Sequence, residues 1–160
     1  MGSIFTTCRQ AVKDAAEPVP PFNAPHIVNQ VVLGDYNWAA GSDFFGNIIT
    51  TGPWLFIKPT KGEADGVKFN GMFEFNADMV YGFEDNMAYD WTAIDDIIAA
   101  LVEAWVSYSK FVKGGVLGPF KLTWKEPEVK HNPMADGTSG FIARTVFTFT
   151  IPFVADQGAS

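Results

Sequence analysis

In residues 69–81 the odd positions carry Phe69, Phe73, Phe75, Met79 and Tyr81, and the even ones Asn70, Glu74, Asn76 and Asp78. A two-residue period sends successive side chains to opposite faces, which predicts a strand with one face in the core and the other in water. Residues 141–153 repeat the pattern, with Phe147, Phe149, Ile151 and Phe153 on one face and Arg144, Thr148 and Thr150 on the other. Between these segments the period lengthens. Ile94, Ile97, Ile98, Leu101, Trp105 and Tyr108 form a stripe at helical spacing, predicting a helix over 90–112, with Asp90 or Thr92 as its cap and Gly114-Gly115 as its stop. On that reading Asp95 and Asp96 lie near the positive end of the helix dipole and Lys110 and Lys113 near the negative end.

Ile4, Phe5, Cys8, Val12 and Ala15 recur at three- and four-residue spacings behind Ser3, predicting a capped helix to about Ala16. Glu17-Pro18-Val19-Pro20-Pro21 ends it, because proline lacks an amide donor and restricts the residue before it. Residues 27–33 are β-rich, and residues 54–58 read as a short buried strand ended by Pro59. Residues 60–66 read as a polar turn leading into a hairpin. Gly71 interrupts the inward series of the next strand and marks a bulge or the close approach of another backbone. Leu122 and Trp124 share a face of a strand over 120–125, residues 127–140 form a polar excursion, and residues 155–160 read as a flexible tail. The order predicts an α+β fold: a mostly antiparallel sheet with one long helix packed on it and a shorter N-terminal helix, in a single domain over 1–154.

Residues 34–52 fit neither period. They hold four glycines with Tyr36, Trp38, Phe44 and Phe45. Loops beyond about 12–15 residues are usually functional or disordered, and this one is too aromatic for simple disorder. Two readings stay open: a loop folded over its own core, or an aromatic contact surface for a neighbouring subunit.

Composition narrows the classes. At 160 residues with 48% hydrophobic and 18% charged residues, the chain has enough apolar area for one core. A net charge of −7 opposes broad binding to nucleic-acid phosphate, while an acidic wall that lets DNA slide past without sticking remains compatible. Cys8 is the only cysteine, so no intramolecular disulfide forms, and its helical neighbours make it a small core residue. No run approaches the roughly 18 apolar residues of a membrane span.

Candidate chemistry is thin. His26 and His131 both fall in proline-containing connections and read as surface residues. Gly137-Thr138-Ser139-Gly140 lacks the order of a nucleophile elbow and leads into a strand, so Ser139 reads as part of a hairpin connection. Glu84, Asp85, Asp90, Asp95 and Asp96 are acidic enough for Mg²⁺, Ca²⁺ or acid–base work, but their spacing matches no calcium loop, and capping and dipole effects explain the helical ones. There is no phosphate-binding loop and no dinucleotide fingerprint. The expectation is a non-enzymatic protein without metal or cofactor.

The run Trp54-Leu55-Phe56-Ile57-Lys58-Pro59, the entry Asp90-Trp91-Thr92-Ala93-Ile94-Asp95-Asp96, and the strands Leu122-Thr123-Trp124 and Arg144-Thr145-Val146-Phe147-Thr148-Phe149 come in a particular order. With the leading helix and proline-broken arm, that order resembles the tail terminator or tail-completion proteins of long-tailed bacteriophages over most of the chain. The aromatic loop departs from the compact family plan. The resemblance implies a structural virion protein that assembles as a hexameric ring on the head-proximal end of the tail. The ring caps the tail tube and joins it to head and neck connector proteins, with double-stranded DNA passing through unbound. It implies the host cytoplasm during assembly, no membrane and no catalytic residue. A heterologous interface repeated about an axis closes into a ring, and a sheet edge or aromatic loop supplies the patch. The surface residues expected at such an interface are Tyr36, Trp38, Phe44, Phe45, Lys61, Glu63 and Asp65. A tail-tube or head–tail connector subunit is a second structural reading. A small ligand-binding or enzymatic domain with a pocket under residues 34–52, walled by Trp38 and Phe44, is a reading of another class.

Overall fold

Ser3 stands in extended conformation before α1 (Ile4–Ala16), and its hydroxyl accepts the amide of Thr6, so the first turn is capped as its sequence predicts. The computed structural model describes residues 3–20, 22, 31–34, 53–66, 70–84, 91–108, 120–133 and 139–154. After α1 come β1 (Val31–Leu33), β2 (Trp54–Asp65), β3 (Asn70–Glu84), α2 (Trp91–Ser107), β4 (Lys121–Trp124), β5 (Glu128–Pro133) and β6 (Ser139–Val154). The architecture is α+β, with a six-stranded, mostly antiparallel sheet and two helices among the described residues.

The sheet runs β1-β2-β3-β6-β4, and β1 joins β2 in the one parallel pairing among the described residues. Its spine is the β3–β6 ladder, from Asn70 opposite Val154 to Glu84 opposite Gly140. Because β3 occupies one edge of β6 throughout, β4 and β5 share the other. Lys121–Trp124 faces Thr150 to Phe147, and Glu128–Pro133 faces Arg144 to Ser139. Residues 127–140, expected to be a polar excursion, therefore include a strand that closes a hairpin into β6, and His131 belongs to that strand. Val129 is the apolar residue of β5 that packs on the core, too little alternation for a period to reveal the strand.

Both helices lie against one face of the sheet. Ile94, Ile97, Leu101 and Trp105 of α2 and Cys8, Ala11, Val12 and Ala15 of α1 share a core with Leu55, Ile57, Phe73, Phe75, Met79, Phe147, Phe149 and Ile151. Trp105 is the junction. Its ring meets Phe147 and Phe149 edge-on at centroid distances of 5.0 and 4.9 Å, and its indole N–H donates to the Val12 carbonyl at 3.1 Å. Phe75 and Phe149, directly opposite in the ladder, stack at 5.0 Å. The indole bond gives buried polar groups of two helices their partners, so it fixes how α1 and α2 cross.

Several expectations change. α2 is helical to Ser107, and Tyr108 has left the helix. Residues 109–119, which include Lys110 and Lys113, lie outside the described residues. Asp95 and Asp96 follow the first turn, which holds no acidic residue, and the last turn holds no basic one. Dipole interactions fade within a turn of each end, so these charges are a solvated face rather than a dipole complement. Asp90 and residues 155–160 also lie outside the described residues, and of residues 27–33 the described part is Val31–Leu33.

Pro59 does not end β2. The strand continues to Asp65, with a bulge between Pro59 and Lys61. Proline is tolerated where no ladder partner needs its missing amide, at edges and bulges. The extra residue, Thr60, reverses the alternation: Leu55 and Ile57 face the core before it, and Gly62 and Ala64 oppose Phe73 and Gly71 after it. Without that shift Lys61, Glu63 and Asp65 would point into the helix-covered side.

The second face of the sheet is not simply wet. Phe56, Val80 and Ile142 are buried there with Val32 and Trp54 against them, and Asp78, expected in water, is only 3% exposed. Arg144 explains how a carboxylate is held there: its Nη2 and Nε lie 2.7 and 3.2 Å from Asp78 Oδ2, and Lys58 Nζ adds an ion pair at 3.4 Å. These are diagonal neighbours across β2, β3 and β6. Further along the same face, Thr148 donates to Asn76 at 3.1 Å.

Candidate functional surface

The β2–β3 hairpin projects past β1. Since β1 pairs only with Leu55, Phe56 and Ile57, residues 59–64 run along an outer edge where no strand pairs among the described residues. All of residues 59–66 are exposed. Side-chain bonds tie the base of the hairpin together: Thr60 Oγ1 donates to the Glu74 carbonyl at 2.9 Å and to its carboxylate at 3.2 Å, and Lys61 Nζ stands 4.0 Å from Glu74. Lys61, 77% exposed, together with Glu63 and Asp65, lies on the face away from the helices. At the opposite limit of the sheet β4 likewise carries no further strand among the described residues, and Lys121, Thr123 and Trp124 are exposed along it.

Of the interface residues expected from the sequence, Lys61, Glu63 and Asp65 are therefore brought together on one exposed strand end. Tyr36, Trp38, Phe44 and Phe45 lie outside the described residues, as do the whole 35–52 segment and the pocket expected beneath it. His26, Asp85 and Asp90 are outside as well. Asp95 and Asp96 are exposed on α2, and among the described residues no group of three His, Cys, Asp or Glu side chains gathers as a metal set would. Ser139 opens β6 opposite Pro133, inside the hairpin connection. No helix among the described residues is long and apolar enough to cross a membrane.

Two concavities were not foreseen. A surface groove of about 620 Å³ runs along α2, with Ile98, Val102, Val106 and Trp124 as its apolar floor and Asp95 and Glu103 beside it. The second, about 410 Å³, lies between the start of α1 and the base of the hairpin. Its apolar wall is Phe5, Pro59, Phe73 and Phe75, and Ser3, Arg9, Thr60, Lys61, Gly62 and Glu74 complete its lining. Phe5 sits edge-on to Phe73 at 4.8 Å and to Phe153 at 5.7 Å, so the aromatic wall is fixed by both helix and sheet. Arg9, a half-buried residue of this lining, has its Nε buried without a hydrogen-bond partner. From the sequence Arg9 is an ordinary polar residue of an amphipathic helix; only the hairpin folding beside α1 gives it a cavity, and no local pattern reports that meeting. No protein-family model matches the chain, and no curated protein matches it at a significant level.

Proposed function

We propose that this chain is a structural virion subunit of the tail terminator kind. In this reading it assembles as a closed ring of six copies on the head-proximal end of a phage tail, ending tube growth and presenting a docking face to the neck. The observation that carries it is the pair of sheet limits that are open among the described residues, the 59–64 edge of β2 on one side and β4 on the other. Two different edges on one subunit make a heterologous contact, and such contacts close into rings when the rotation between subunits permits. Charge favours this pairing. The first edge and its end carry Glu63 and Asp65 against Lys61, a net negative charge, while Lys121 and Lys125 against Glu126 leave the second net positive. The element order adds the resemblance described above, with α2 as the long helix that organises the sheet. A net charge of −7 suits a lumen through which DNA passes without being retained.

Mass by light scattering, with negative-stain images of the protein alone and mixed with tail tubes, tests the reading. The expected result is a species six times the 17.5 kDa chain mass, seen as rings or as caps on tube ends. A sharply monomeric species under both conditions overturns it. Stacked tubes would instead support a tail-tube subunit. A small ligand-binding domain is the reading of another class. The cavity at Arg9 favours it, and it predicts a monomer whose melting temperature rises with ligand.

A further inference from the structure

The cavity between α1 and the hairpin has one polar group left over. Ser3 is occupied as the helix cap, its hydroxyl accepting the Thr6 amide and donating to Thr6 Oγ1. Thr60 is bonded to Glu74, and Lys61 and Glu74 form an ion pair across the hairpin. Arg9 makes no hydrogen bond or ion pair among the described residues, and its Nε is buried. A guanidinium directs its donors in a rigid planar fork suited to carboxylates, and burying a donor unpaired is unfavourable. Lys61 and Glu74 neutralise each other on the sheet face away from the helices, so Arg9 leaves one positive charge at the lining, in a chain whose net charge is −7. Beside that charge stand the rings of Phe5, Phe73 and Phe75. A volume of about 410 Å³ is within the range of small-molecule sites.

We propose that this cavity binds a small organic monocarboxylate with an aromatic or branched apolar body, its carboxylate held by Arg9 and its body against the Phe5–Phe73–Phe75 wall. One negative charge neutralises the leftover cation, and an apolar body fills space that water solvates poorly. A dianion overshoots the charge, and a neutral sugar supplies neither the charge nor the apolar body. The cavity borders residues 59–62 of the outer β2 edge, but the inference does not rest on ring assembly.

The test uses the full chain with 3-phenylpropanoate as probe, and 3-phenylpropanamide and acetate as controls. Binding is followed by calorimetry and by the Arg side-chain N–H signals in nitrogen-correlated NMR spectra. The expected result is saturable binding of 3-phenylpropanoate that moves the Arg9 Nε–H signal. The amide, which keeps the ring but not the charge, and acetate, which keeps the charge but not the ring, should each bind about tenfold more weakly or worse. Arg9→Gln should lose binding by a similar factor, and Arg9→Lys should recover part of it, since the charge returns without the fork. Far-UV circular dichroism melts of both variants, and retained Phe5 and Phe73 ring signals, show that the wall is intact. Equal binding of acid and amide, undiminished binding by a folded Arg9→Gln, or no saturation at millimolar probe would each overturn the proposal.

Discussion

At the scale of single residues, the side chain that most constrains this molecule is Asp78. It is 3% exposed on the sheet face away from the helices, its Oδ2 takes both Arg144 contacts and the Lys58 ion pair, and its Oδ1 has no hydrogen-bond partner. The alternation of residues 69–81 put Asp78 on the correct face, but parity says nothing about what covers that face. Periodicity reports sides, not burial. Replacing Asp78 by Asn keeps the shape and strands two cations. Arg144 and Lys58 side chains retain 32% and 24% exposure, so water offsets part of the loss. Asp78→Asn should cost about 2 kcal/mol, between the values for buried and surface pairs, read from urea midpoints. A double-mutant cycle with Arg144→Met should return most of that as coupling. Cys8 gives a pH signature. Burial pushes its thiol from 9.0 to about 12. Between those values the unfolded chain releases a proton that the folded chain keeps, so stability falls as pH rises through this window and is whole below it. Urea midpoints followed from neutral pH to about pH 11 should drop more steeply for the native protein than for Cys8→Ala, in which this linkage is gone.

At the scale of elements, what could be read from the sequence depended on whether an element's two sides differ. α1, the core of α2, β3 and β6 each carry one apolar and one polar side, and their existence and facing follow from period alone. β5 was hidden because a polar edge strand with one core contact looks like a loop. The outer half of β2 was hidden because Pro59 normally argues for an ending, and only its place at a bulge on an open edge removes the objection. Gly71 was legible as an anomaly. A Cβ there would lie 2.7 Å from the Glu63 carbonyl oxygen and 2.4 Å from the Phe153 ring, so the gap in the inward series is a close backbone approach, while the bulge falls at Thr60. The ring can swing; the Glu63 carbonyl is tied to the β2–β3 ladder. Gly71→Ala should therefore destabilise by about 1–3 kcal/mol through overpacking, seen as a lower urea midpoint. Loss of amide exchange protection should centre on the hairpin base and the last residues of β6 rather than on the Trp105 junction.

At the scale of the whole molecule, the sequence offers Lys61, Glu63 and Asp65 as a polar turn and as expected interface residues, and the Thr60 bulge makes them one charged side of a strand that is open among the described residues. The partner edge, β4, offered no such sign, because openness is a property of sheet order, which a strand does not encode locally. If these two limits join neighbouring copies, their charges must be complementary across the contact and indifferent within one chain. Glu63 is exposed on the first edge and Lys121 and Lys125 on the second. Glu63→Lys then brings like charges together between subunits and should lower the light-scattering mass from ring to monomer at physiological salt. The far-UV circular dichroism spectrum should stay native, and the urea midpoint should fall only by the stabilisation that assembly itself supplies, since an exposed side chain contributes little to folding of the single chain. Lys121→Glu with Lys125→Glu should do the same from the other side. The decisive arm joins all three substitutions in one chain: opposite charges face each other again, so the ring mass should return. Recovery separates a direct contact from two unrelated disruptions. A triple variant that stays monomeric while folded would show that these edges do not meet, and would move the ring contact elsewhere on the subunit.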